Sequence, residues 1–251
     1  MKPAPFSYHR AGDVAEALEL LAGFDGEAKL LAGGQSLVAM MNFRLARPQH
    51  LVDINRVGGL DGITERDGGV AVRALARQSA IEDSELVARV CPLLRDAVGL
   101  VAHRVIRNRG TVCGSIAHAD PASELPAVLL ALGGSVTAIS TRGRREIPAG
   151  ELFRGVFETS LQPDELLVEA WFPASSRPFA ILEESRRHGD FALAGAVRAG
   201  EKLALFGVAP TPVLADPRDP ARGLEPSGDL EATRDFRLHL VRVLADRAFA
   251  A

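Results

Sequence analysis

Leu30-Leu31-Ala32-Gly33-Gly34-Gln35-Ser36 is the stretch on which the reading of this chain turns. Lys29-Leu30-Leu31 predicts the end of a short buried strand. Gly33-Gly34 lets the backbone turn tightly and approach a ligand closely. Gln35 and Ser36 then open an apolar-periodic run, Leu37, Met40 and Met41, with helical spacing. A strand, a glycine turn and a helix start leave several backbone N–H groups unpaired and facing one way. Such an edge binds anions, phosphates above all. An ordinary strand-to-helix turn reads the same way from this stretch alone.

Outward from it, the neighbours repeat the alternation of strand and helix. Pro5 to Tyr8 predicts a first strand, and Asp13 caps a helix carrying Val14, Leu18 and Leu21 on one face. Pro48 stops the helix after the glycine turn, and His50-Leu51-Val52-Asp53-Ile54 reads as a third strand. From Leu60 the pattern changes. Ile63-Thr64-Glu65 and Val70-Ala71-Val72 flank Arg66-Asp67-Gly68-Gly69, a hairpin signal. Short helical pieces over 79–90 precede a stronger helix from Pro92 to Val101.

A second small-residue stretch follows, Ile106-Arg107-Asn108-Arg109-Gly110-Thr111-Val112-Cys113-Gly114-Ser115-Ile116-Ala117. Gly110 and Gly114 bracket what reads as a short β-like piece bearing the Thr111 hydroxyl, with Ser115 next. A polar turn then ends in Ser123-Glu124 before a helix over Leu125–Leu132. Hydroxyls and bare amides suit diphosphate and polyol oxygens, and a carboxylate suits sugar hydroxyls. A glycine-tolerant loop between helices is the alternative. Beyond it, Ser135–Ser140 and Arg144–Pro148 predict a hairpin and Leu166–Phe172 a strand. After a Ser/Pro linker at 174–178 come Phe179–Glu183, Leu193–Arg198 and Lys202–Val208, a small antiparallel set. Ala209–Gly228 reads as a long surface loop and Arg237–Arg247 as a helix.

Composition narrows the chemistry. The 251 residues carry 29 basic and 32 acidic side chains with no basic excess, which argues against nucleic acid as partner. No apolar run reaches the length of a membrane span and the N-terminal residues do not resemble a signal peptide, so a cytoplasmic location is expected. Two cysteines, Cys91 and Cys113, are too few for a four-thiolate cluster from this chain alone. The six histidines lack metal-ligand spacing, so no metal site is expected. Gly-x-Gly, Gly-Lys-Ser/Thr, Gly-x-Ser-x-Gly and His-Glu-x-x-His are all absent. What remains is two stretches placed to hold an extended diphosphate ligand, with no catalytic side chain of the chain's own.

Ala32-Gly33-Gly34-Gln35-Ser36-Leu37, followed by Pro48 and Leu51-Val52-Asp53-Ile54, resembles the FAD-binding medium subunit of molybdenum hydroxylases. This is the carbon monoxide dehydrogenase and xanthine dehydrogenase family. Ile106-Arg107-Asn108-x-Gly110-Thr111-Val112-x-Gly114 resembles its other flavin segment. Ser185-Arg186-Arg187-His188-Gly189-Asp190-Phe191-Ala192 and Gly207-Val208-Ala209-x-Thr211-Pro212-Val213 are similar to its C-terminal part. The resemblance runs through nearly the whole chain in order.

The resemblance implies an α+β chain. Its two-lobed FAD-binding fold is of the vanillyl-alcohol-oxidase/PCMH type, with an N-terminal α/β lobe over 1–56 and a middle α+β lobe over 57–174. A small C-terminal domain of three antiparallel strands and helices covers 175–251. It implies FAD held by Leu31, Ala32, Gly33, Gly34, Gln35, Ser36 and Leu37 and by Thr111, Val112, Cys113, Gly114 and Ser115. Ala102, Ile106, Ala117, Ser123, Glu124 and Leu167 line the rest. It further implies an electron-transfer oxidoreductase subunit in a heterotrimer. There a large chain carries molybdopterin, a small chain the [2Fe-2S] clusters, and an external acceptor takes the electrons. Cys113, Ser115 and Glu124 depart from the family's usual Gly, Asn and Asp, and Leu182 stands where a polar or basic residue is common beside the flavin. Gln35 cannot make the covalent flavin bond that a histidine near this position makes in more distant relatives, so FAD is expected to be non-covalent. A stand-alone FAD-dependent reductase of the same fold and a non-catalytic nucleotide-binding scaffold stay open.

Overall fold

The computed structural model describes residues 1–250. Its first sheet is three-stranded and parallel, with β1 (Ser7–Arg10), β2 (Ala28–Leu31) and β3 (His50–Asp53) in the order β1-β3-β2. Helices α1 (Val14–Gly23) and α2 (Leu37–Asn42) make its connections. Asp13 caps α1 by accepting from the Glu16 N–H at 2.9 Å. The Glu16 carboxylate accepts from the Gly12 N–H at 2.7 Å, a reciprocal arrangement that satisfies two helix-start donors. The first strand begins at Ser7 rather than Pro5, because only from Ser7 does the backbone pair with β3.

The second sheet is antiparallel, with β4 (Ile63–Arg66) and β5 (Gly69–Arg73) forming the expected hairpin. Six helices follow: α3 (Gln78–Glu82), α4 (Glu85–Val90), α5 (Pro92–Leu100), α6 (Arg104–Arg107), α7 (Val112–His118) and α8 (Glu124–Leu132). The chain returns through β6 (Ser135–Ser140), β7 (Gly143–Pro148), the short α9 (Ala149–Leu152), the small β8 (Phe153–Gly155) and β9 (Glu158–Thr159) pair, and β10 (Leu166–Pro173). The sheet order is β4-β5-β10-β6-β7.

The expected β-like piece between Gly110 and Gly114 is instead the start of α7. Thr111 is extended, makes one isolated bridge with Arg77, and then caps the helix by accepting from the Gly114 N–H at 3.0 Å. Val112, Cys113 and Ile116 then fall on one face and are buried, which helical spacing allows and strand spacing would not.

The third sheet holds the three expected strands, β11 (Phe179–Ser185), β12 (Ala192–Ala199) and β13 (Lys202–Phe206), and a fourth, β14 (Val213–Ala215). The last lies inside the segment read as loop. Its three residues pair with Leu203–Leu205 on the open edge of β13, between Pro212 and Pro217. Helix α10 (Arg234–Ala250) packs on this sheet. Buried Arg237 pins it there, donating to the carbonyl oxygens of Leu193 (2.5 Å) and Gly207 (3.1 Å) and to Asp229 Oδ2 (2.5 Å).

Two of the three apolar cores cross sheet boundaries. The largest joins β5, β6 and β10, helices α3–α5, α7 and α8, and Phe179, Val197, Ala204 and Phe206 of the third sheet. A second joins the first sheet to Leu75, Leu166 and Val168 of the middle region. The third lies between the third sheet and α10.

Candidate functional site: a cleft at the ends of parallel strands

Strands β2 and β3 end side by side, and their carboxyl ends open into a cleft of about 650 Å³. In open α/β sheets that is where ligands bind. Leu31, Ala32, Gly33, Gly34 and Gln35 line it, with Val38, Ala39 and Asn42 of α2, Asp53 and Asn55 after β3, and Arg77 and Arg109. Gly34 has φ +74°, a conformation that favours glycine, so it turns the chain into α2. Asn55 fixes the turn from beneath: its Nδ2 donates to Leu31 O (3.2 Å), Ala32 O (2.8 Å) and Asp53 Oδ1 (2.7 Å).

The two small-residue stretches meet. A Cβ on Gly33 would collide with the Arg109 carbonyl oxygen and stand 2.9 Å from Gly110 Cα, so the backbones touch with no room for a methyl group. A Cβ on Gly110 would in turn collide with Gln78, whose N–H donates to Gly110 O at 2.9 Å. Arg77 clasps the junction, donating to Arg109 O at 2.6 Å and to Asn55 Oδ1 at 2.7 Å. Downstream, Ser115 Oγ and Ser123 Oγ share a hydrogen bond at 2.8 Å, joining the first turns of α7 and α8. Gln78 Oε1 is buried without a hydrogen-bond partner beside this seam.

The cleft is cationic. Burial lowers the Arg77 pKa, and repulsion from Arg109 lowers it further against the pull of Asp53. Burial would raise Asp53, but hydrogen bonds from Tyr8 and Asn55 outweigh it and hold the carboxylate below its usual value. An anion between Arg77 and Arg109 would relieve their repulsion.

Of the residues expected to bind, Leu31 to Gln35 line the cleft. Ser36 is the α2 cap, without a side-chain cap bond, and Leu37 is the first helical residue; Val38 and Ala39 reach the cleft in their place. Thr111, Val112 and Cys113 are buried. The Thr111 hydroxyl is engaged with Gly114, and the Cys113 thiol donates to Val72 O at 3.3 Å, its pKa raised by burial. Val112 and Leu167 are core side chains, able to offer a ligand only backbone. Ala102 has a left-handed φ of +43°, Ile106 is half-buried on α6, and Ala117 is exposed on α7. Ser123 and Glu124 are buried at the start of α8.

The sequence motifs leave out Asn55, Arg77 and Arg109, although Asn55 directly follows the third strand. The rule that ligands sit at the carboxyl ends of parallel strands would have marked it.

Residues 4–175 match the family described as the FAD binding domain in molybdopterin dehydrogenase. The chain belongs to that FAD-binding family. It is 49% identical over 198 residues to the 6-hydroxypseudooxynicotine dehydrogenase complex subunit alpha of Paenarthrobacter nicotinovorans, covering 78% of this chain and 67% of that one. With the carbon monoxide dehydrogenase medium chain of Hydrogenophaga pseudoflava it shares 38% over 222 residues, 84% of this chain and 77% of the other. A solved structure of carbon monoxide dehydrogenase from Hydrogenophaga pseudoflava, lacking the Mo-pyranopterin moiety of its cofactor, superposes with a TM-score of 0.94 at 34% identity. The match covers 100% of this chain and 98% of that one. The FAD-binding family assignment agrees with what the residues offer: a glycine turn open to a phosphate, two guanidinium groups beside it, and a buried amide oxygen left without a donor.

Proposed function

We propose that this chain is the FAD-binding electron-transfer subunit of a multi-subunit molybdenum hydroxylase. It would take electrons from iron–sulfur clusters of a small partner chain and pass them to an external acceptor, while a large partner carries molybdopterin. The observation that carries the FAD site is the seam at Gly33 and Gly110. There two segments far apart in sequence make one cationic cleft. FAD, when bound, supplies exchange between one- and two-electron carriers.

The chain's own residues position and neutralise. The Gly33-Gly34 turn offers bare backbone, held open by Asn55. Arg77 and Arg109 balance a diphosphate, and Ser115 and Ser123 present hydroxyl oxygens farther along. With Cys113, Val112 and Leu167 turned into the core, their role is to shape the floor. We assign the three regions 1–56, 57–174 and 175–251 as lobes, in line with the order of the three sheets. The two buried, separate cysteines support a division of labour in which the clusters belong to another chain.

The test is a visible absorbance spectrum of the full chain, purified alone and co-expressed with its genomic neighbours. Flavin bands, or their appearance on adding FAD, are expected. A colourless chain that takes up no FAD would overturn the proposal.

A further inference from the structure

The segments 77–83 and 101–111 are fastened to each other at two places. At the cleft the fastening is through backbone: Arg77 bridges Thr111, the Gln78 N–H donates to Gly110 O, and the Arg77 side chain reaches Arg109 O. At the second place it is one guanidinium, that of Arg107, which is only 7% exposed. Its Nε and Nη2 fork onto the Glu82 carboxylate at 2.9 and 3.0 Å. Its Nη1 donates to the carbonyl oxygens of Val101 (2.9 Å) and Ala102 (3.2 Å). Arg104 adds a further bond to Glu82 at 2.8 Å and pairs with Asp83. Hydrogen bonds from Arg107 hold the Glu82 carboxylate below its usual value, against the opposing effect of burial.

Ala102 is left-handed, with φ +43°, a conformation that costs an alanine energy and persists only where its surroundings enforce it. Two successive carbonyls aimed at one buried guanidinium supply that enforcement. From Arg107 the chain has two residues in which to reach Arg109, whose carbonyl abuts Gly33 and whose side chain lines the cleft. The N–H groups of Arg109 and Gly110 both donate to Ile106 O, at 3.0 and 2.8 Å, so the place of α6 sets the place of the seam. For stability alone a packed apolar pair would serve as well as a buried ion pair; what a forked guanidinium adds is a fixed geometry.

We propose that Arg107, held by Glu82, is a positioning residue for the FAD site. It fixes the backbone from Ala102 to Gly110 so that Arg109 and the Gly33–Gly110 seam present one surface to the diphosphate. This rests on the FAD reading above and adds to it a residue pair that lines no part of the cleft.

The test uses the full-length chain and three variants: Arg107→Lys, Glu82→Gln and the two combined. Gly195→Ala, a substitution packed against Phe206 in the third sheet, is the destabilised control. FAD affinity is titrated by fluorescence quenching at several salt concentrations, below the melting midpoint of every variant. Arg107→Lys keeps the charge but cannot fork, so FAD is expected to bind about tenfold more weakly. The dependence on ionic strength should also flatten, although Arg77 and Arg109 are both intact. The double variant should bind no more weakly than Arg107→Lys, because both substitutions open one joint. Gly195→Ala should melt earlier yet bind FAD like the wild type. Wild-type affinity and salt dependence in Arg107→Lys, a loss matched by Gly195→Ala, or additive losses in the double variant would overturn the role of Arg107 alone. A wild type that binds no FAD would overturn the reading beneath it as well.

Discussion

Gly33 is the position where one atom decides the most. Gly33→Ala puts a methyl group into the Arg109 carbonyl and forces the two segments apart. We expect FAD affinity to fall by more than about tenfold with a lower melting temperature, measurable by titration and thermal denaturation. Arg77→Ala removes the clasp and half the positive charge of the cleft. Its expected signature is weaker FAD binding whose dependence on ionic strength is flatter than that of the wild type. The buried acids set a pH dependence. Glu124 has its folded pKa raised to about 8 from an ordinary 4.5, and Glu183 is raised to about 7. Below the unfolded value both states are protonated and the contribution to stability is complete. As pH rises toward 8 the unfolded chain has already released protons that the native chain retains, so stability falls. The apo chain should therefore lose more melting temperature between pH 5 and 8.5 than a Glu124→Gln/Glu183→Gln double variant, and equal losses would refute the assignment.

Helix α7 shows how an element is set by a residue whose role is easy to misread. Thr111 has the chemistry of a phosphate ligand, yet its oxygen accepts from the Gly114 N–H as an N-cap. Thr111→Ala should cost about 1–2 kcal/mol by chemical denaturation, most of it recovered by Thr111→Ser. The sequence showed the small residues but not which way they were spent, because a Thr-x-x-Gly cap and a β-like phosphate loop use the same letters. Elements with strong periodicity or proline boundaries were legible: the Asp13-capped α1, the hairpin at Asp67-Gly68, and the Pro92 start of α5. Strand β14 was not, since three residues pairing with an edge leave no periodic trace. The site was half legible. The glycines announced themselves, while Arg77 and Asn55 matter only through neighbours that the fold brings from other segments.

At the scale of the whole chain, the cores do not respect the order of the sheets. Phe206 and Phe179 of the third sheet belong to the same apolar cluster as Val72 and Leu129, and Leu166 joins that of the first sheet. The single tryptophan, Trp171 on β10, donates from Nε1 to Arg66 O at 3.0 Å in the middle sheet. Its fluorescence should therefore unfold together with the far-ultraviolet circular dichroism in one transition. Gly195 lies over the Phe206 ring with no space for a side chain, so Gly195→Ala should shift that shared midpoint downward by about 1–3 kcal/mol. The bare contact of Gly33 with Arg109 and Gly110 has a bearing on how such a protein can diversify. Where main chain abuts main chain, selection has no side chain to vary without prising the halves open. New redox properties must then be acquired at the rim, through residues such as Val38 and Arg109, because the joint itself has no room to change.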